Sequence, residues 1–137
     1  MEAGFQAPED ATLTANDSER RRDLRLSTSG GPYRVSFRFR DQCVTQARLA
    51  NVSAGGCGLE IQMADARDLD PGAVLEAFFL LHPDLPCVPL QATVVRMLGK
   101  VPGKTGGYVL AGVEFTLITP FVRQLIRDHV QAHAGVA

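Results

Sequence analysis

Tyr33, Val35, Phe37 and Phe39 alternate with Arg34, Ser36, Arg38 and Arg40. Period two predicts a strand with one face on a core and the other in water. A second strand is expected over residues 42–50, a short third over 57–61 and a fourth over 73–81. The fifth covers 87–98 and the sixth 108–116. Pro89 has no N–H to give, so it belongs at a strand start, an edge or a bulge. His82 to Pro86 reads as a turn, and Gly99 to Gly107 as a flexible connection. The period then changes. Thr119-Pro120 reads as a helix cap followed by proline at the first helical position. Phe121, Val122, Leu125, Ile126 and Val130 follow on one helical stripe. The pattern is that of an all-β domain with one C-terminal helix. Many short strands with Gly/Pro turns point to a barrel or sandwich, with the helix laid across an open face or end. The connections are too short for the crossovers a parallel sheet needs.

Residues 1–18 show no periodicity and are polar and acidic, so they read as a disordered tail ahead of a domain spanning 19–134. A chain of 137 residues, 45% hydrophobic, can bury a core without disulfides or metals. The net charge is −1, but it is unevenly spread. Glu2, Glu9, Asp10, Asp17 and Glu19 have no basic residue among them. Arg20, Arg21, Arg22, Arg25, Arg34, Arg38 and Arg40 follow, against Asp23 alone. A local cationic site beside an acidic tail is the first functional hint. Cys43, Cys57 and Cys87 have no metal or redox spacing and read as small buried thiols. No signal sequence opens the chain, and no apolar run nears the roughly 20 residues that span a bilayer. A cytoplasmic protein without membrane insertion is expected.

Two segments carry candidate chemistry. In the first, Arg20-Arg21-Arg22-Asp23-Leu24-Arg25, guanidinium forks match phosphate oxygens and the O6/N7 edge of guanine, and they stack on bases. Taken alone, the cluster reads equally well as a solvated linker. The second, Asn51-Val52-Ser53-Ala54-Gly55-Gly56, offers an amide, a hydroxyl and a glycine between two strands. Taken alone, it reads as a tight turn. Its match to the glycosylation pattern carries no weight without a signal peptide.

Together, an R-x-x-x-R segment before the first strand and an [Asp/Asn]-x-Ser-x-x-Gly segment after the second resemble the PilZ domain family. The resemblance continues through Cys57-Gly58-Leu59-Glu60, Ala92-Thr93-Val94-Val95-Arg96 and Gly112-Val113-Glu114-Phe115, covering about residues 19–131. It implies a six-stranded antiparallel β-barrel with a C-terminal α-helix, and cyclic di-GMP as ligand. It implies that Arg20, Arg21 and Arg25 hold phosphates and guanines, while Asn51, Ser53 and Gly56 line the barrel side of the same site. Arg22 falls in the spacer and faces solvent. Position 51 is Asn where the family often has Asp. In the family, an arginine directly before R-x-x-x-R accompanies two stacked ligands. Arg20 therefore implies two cyclic di-GMP molecules per protomer.

Other residues have plainer readings. His129 and His133 are four apart on the helix, but no third ligand accompanies them, so they read as ordinary helix residues. Arg96 interrupts an apolar strand and reads as a sheet-face or edge charge. No nucleophile–base pair, phosphate loop or carboxylate pair is present. The expectation is a non-enzymatic receptor, without metal or cofactor, that passes second-messenger binding to an unidentified partner protein. Control of motility, exopolysaccharide or biofilm is the kind of process implied, with no DNA or RNA partner. The alternative is a PilZ-like protein–protein adaptor that binds no nucleotide.

Overall fold

The structure is a computed structural model, and it describes residues 24–101, 103 and 106–134. Arg20, Arg21, Arg22 and the expected tail lie outside the described residues. The strands are β1 (Leu26–Ser27), β2 (Arg34–Phe39), β3 (Gln42–Val52), β4 (Gly56–Gln62), β5 (Val74–Leu81), β6 (Leu90–Leu98) and β7 (Tyr108–Leu117), followed by helix α1 (Pro120–Ala134). All pairings are antiparallel, in the order β1-β3-β2-β5-β6-β7-β4, and β4 also pairs with β3. That last pairing closes a six-stranded barrel. Closure leaves the barrel no free edge to recruit another chain.

Six of these strands are those the period-two pattern predicts. The two-residue β1 was not foreseen. β3 runs on through Asn51 and Val52, so the turn is confined to Ser53–Gly55. β6 starts at Leu90, directly after Pro89, and Cys87 to Pro89 precede it.

Inward residues fill the barrel: Val35, Leu49, Leu59, Ile61, Leu75, Leu80 and Val94 are essentially inaccessible. Phe78 sits among them, stacked on Phe37 at 6.2 Å between ring centroids and meeting the edge of Phe115 at 6.0 Å. Cys57 shares this core, and burial pushes its thiol well above the ordinary range, which keeps it protonated. Cys43 and Cys87 are exposed, contrary to the sequence expectation of buried thiols. They sit at the start of β3 and in the loop before β6, away from the core-facing phase.

Helix α1 begins as expected. The Val122 N–H donates to Thr119 Oγ1 at 3.2 Å, so Thr119 caps the first turn. Val122, Ile126 and Val130 are buried, while Phe121 is 72% exposed and lies off the packed stripe. A polar clamp adds to this apolar seam. Tyr33, just before β2, brings its hydroxyl to within 2.9 Å of His129 Nε2. The His82 ring stacks on Tyr33 at 4.0 Å, and His133 lies 4.3 Å from the His129 ring. His129 is therefore a buried anchor joining the helix to the barrel, not an ordinary helix residue. Burial, then His133 and His82, lower its pKa, and Asp84 opposes them in part.

Gly56 fixes how closely β4 approaches β7. A Cβ at this position would collide with the backbone carbonyl oxygen of Val113. Backbone cannot yield as a flexible side chain does, so Gly56 is a packing requirement.

Three outcomes follow from this architecture. Phe78→Ala should cost about 3–5 kcal/mol of unfolding free energy in a denaturant melt. Gly56→Ala should lower the melting temperature without any ligand present. Because His129 has a lowered folded-state pKa, the unfolded chain binds more protons as pH falls through about 6.5. Stability is thus fully present above that value and is lost as pH drops from it toward the folded pKa. Melting curves between pH 7.5 and 5.5 should show this fall, and His129→Phe should flatten it.

Candidate functional site

The outer face where β1, β3, β4, β7 and β6 meet holds an open cavity of about 660 Å³. That is the size range of small-molecule sites. Arg25, Asn51, Ser53 and Gly56, which are far apart in sequence, all line it. Arg25 precedes β1, whose pairing with the end of β3 places Leu26 opposite Val52 and Ser27 opposite Asn51. The two-residue strand thus carries Arg25 to the second motif, and its Nη1 donates to Asn51 Oδ1 at 2.6 Å. Thr28 secures this join. Its N–H donates to the Ala50 carbonyl at 2.9 Å and its buried hydroxyl to the Leu49 carbonyl at 2.6 Å.

Ser53 takes a different position from Asn51. Its side chain is buried, and its hydroxyl donates to the Gly56 carbonyl at 3.2 Å, while its own N–H reaches the same carbonyl at 2.8 Å. The Gly55 N–H points at Ser53 Oγ at 3.4 Å. Ser53 therefore shapes the turn with its hydroxyl. Gly56 meets the cavity through its backbone, which is all that its tight position against β7 permits.

Register explains why Asn51 faces outward. Leu49 pairs with Leu59 and Asn51 with Gly58, so Ala50 is an extra residue on β3. This bulge reverses the phase: Leu49 points into the core and, two residues on, Asn51 points out. The Asn51 amide then lies over Gly58, where a Cβ would stand 2.7 Å from Asn51 Nδ2.

The cavity also contains Arg96 and Glu114, neither of which the sequence patterns marked as site residues. Strict alternation through Leu90, Ala92 and Val94 would send Arg96 into the core. A second bulge prevents this. Val94 pairs with Val113 and Arg96 with Gly112, leaving Val95 as the extra residue. Arg96 emerges on the exposed face, in the cavity wall. Only the three-dimensional pairing reveals this.

Among the described residues no group of His, Cys, Asp or Glu is arranged to hold a metal ion. No described helix is long and apolar enough to cross a membrane.

The PilZ domain family model matches residues 19–132. No protein with a curated function matches by sequence. Among solved structures, the PilZ domain of YcgR from Escherichia coli, determined with c-di-GMP, superposes with a TM-score of 0.63 at 17% identity. The match covers 85% of this chain and 92% of that one. The MrkH–c-di-GMP complex from K. pneumonia matches with a TM-score of 0.66 at 17% identity, over 81% of this chain and 51% of MrkH. The Bacillus subtilis inhibitor of motility MotI/DgrA matches with a TM-score of 0.62 at 17% identity, over 84% of this chain and 51% of its own. The chain thus spans about half the length of MrkH and MotI. At these identities the structural likeness speaks for the fold, but the sequence match spans nearly the whole barrel and helix: the chain belongs to the PilZ domain family.

Proposed function

We propose that this domain is a receptor for cyclic di-GMP that works by binding, not by catalysis, and passes occupancy to a partner protein. The observation that carries this reading is the join of its two motifs. Arg25 and Asn51 come from opposite ends of a 26-residue separation and touch at the mouth of one cavity. A guanidinium, an amide and an open glycine-lined floor suit a ligand that combines phosphates with guanine bases. Family membership supports the same ligand, since the YcgR domain and MrkH were both solved with c-di-GMP. In this reading Arg20, Arg21 and Arg25 hold phosphates and guanines. Asn51 meets the ligand from the barrel side, and Ser53 and Gly56 hold the turn that presents it.

The signal would pass through the segment that bears Arg25. It runs directly into β1, which packs against α1. A ligand shifts a conformation only through contacts that differ between two states, and reordered arginines supply such contacts. A cytoplasmic location accords with this role.

Calorimetric titration with cyclic di-GMP should give saturable binding, micromolar or tighter, about −8 kcal/mol or better. Arg25→Ala should weaken it by about 1.5–3 kcal/mol, the range for hydrogen bonds to charged groups, with an unchanged melting temperature. Arg21→Lys should bind more weakly than the unmodified protein, because an ammonium lacks the planar fork. The endpoint should be two ligands per protomer and should fall toward one in Arg20→Ala. An endpoint of one in both proteins would remove the two-ligand reading. Absence of any saturable heat would remove cyclic di-GMP.

A further inference from the structure

Register places four residues in a single row across the outer face of the barrel. Asn51 pairs with Gly58, Gly58 with Gly112, and Gly112 with Arg96. At a strand spacing of about 4.8 Å, three steps span roughly 14 Å. The two ends are built alike. Each follows a bulge, at Ala50 on β3 and at Val95 on β6, and each bulge turns a polar side chain out of the core phase. Each side chain then lies over a glycine. Asn51 covers Gly58, and Arg96 runs over Gly112, where a Cβ would stand 3.3 Å from Arg96 Cγ and 3.4 Å from its Nε. Between the ends the floor is bare backbone.

The ends differ in one respect. Asn51 is already held by Arg25. Among the described residues, no hydrogen bond or ion pair holds the Arg96 guanidinium. Its neighbours on the same face are the exposed Val95, Leu98 and Leu110, which offer apolar surface and no counter-charge. Placing an unpaired arginine in a cavity wall by means of a bulge calls for an explanation that the core does not supply. Glu114, two residues beyond Gly112 on the same face of β7, lines the same cavity opposite Gly56 and Thr93. The apolar side chains beside Arg96 and the flat glycine floor beneath suit the face of a base, whose neutral edge is then the partner for the fork.

We propose that Arg96 is a guanine-reading residue: one base of the ligand lies on the Gly58–Gly112 floor, and the Arg96 fork donates to its O6 and N7. The inference rests on the cyclic di-GMP reading above and extends it to a residue outside both motifs. It also assigns selectivity to this end of the site. Adenine presents a donor in place of O6, which an arginine fork cannot satisfy.

The test is titration of the full chain with cyclic di-GMP and, in parallel, cyclic di-AMP. Glutamine pairs with adenine N6/N7 but lacks the fork that fits guanine. Arg96→Gln should therefore weaken cyclic di-GMP binding roughly tenfold or more and reduce the preference for cyclic di-GMP over cyclic di-AMP by a similar factor. Gly112→Ala raises the floor by a Cβ that meets side chains and no backbone, the tightest being the flexible Arg96 stem, so it should fold, and it should weaken cyclic di-GMP likewise. Melting curves of both variants should overlay that of the parent. A preference unchanged in Arg96→Gln, with Arg25→Ala still weakened, overturns the role of Arg96 and leaves the receptor reading intact. Failure of the unmodified protein to bind cyclic di-GMP overturns both.

Discussion

Strand β4 lies between β3 and β7, and its approach to both is set by residues without side chains. Gly56 abuts the Val113 carbonyl, and Gly58 lies beneath the Asn51 amide. Through β4 the sheet closes on itself, so these contacts decide whether the chain forms a barrel or an open sheet with two raw edges. The same contacts make the cavity floor. Barrel closure and the cavity floor are thus two uses of one seam. The motif glycine at position 56 belongs first to the seam.

Much of the fold was legible in the sequence because half-buried antiparallel strands have to alternate. β2 and β7 show this most clearly, with residues such as Phe37 and Phe115 inward and Arg38 and Glu114 outward. The helix was legible through its cap at Thr119 and its stripe. β1 was not, since two residues cannot display a period. Its existence depends on Thr28 reaching the carbonyls of Leu49 and Ala50. The exposure of Phe121 and the burial of His129 were missed for a related reason. A helical stripe shows spacing, but which edge of it meets the barrel depends on partners such as Tyr33, far away in the chain.

The candidate site was legible in part. Its motifs mark Arg25, Asn51, Ser53 and Gly56, and the structure gathers these around one cavity. The motifs do not say that Ser53 spends its hydroxyl on the turn. Nor do they show Arg96, because a bulge is a relation between two strands and leaves no mark in the pattern of one. Arg96 read alone is a charge in the wrong phase of an apolar strand. Opposite Gly112, it is a charge moved to the right one.

The bond between Arg25 and Asn51 means that an incoming anion does not find a vacant cation. In the proposed receptor, occupancy would begin as a swap, in which the amide oxygen is dismissed and a more negative acceptor takes its place. The identity of residue 51 would therefore set the threshold of the exchange. A carboxylate there would hold the guanidinium as a charged pair and resist dismissal, whereas a neutral amide lets go more readily and then has its own oxygen and N–H groups to offer. On that reading the asparagine is a placeholder: it keeps the arginine in position and would yield to a rival whose charge it lacks.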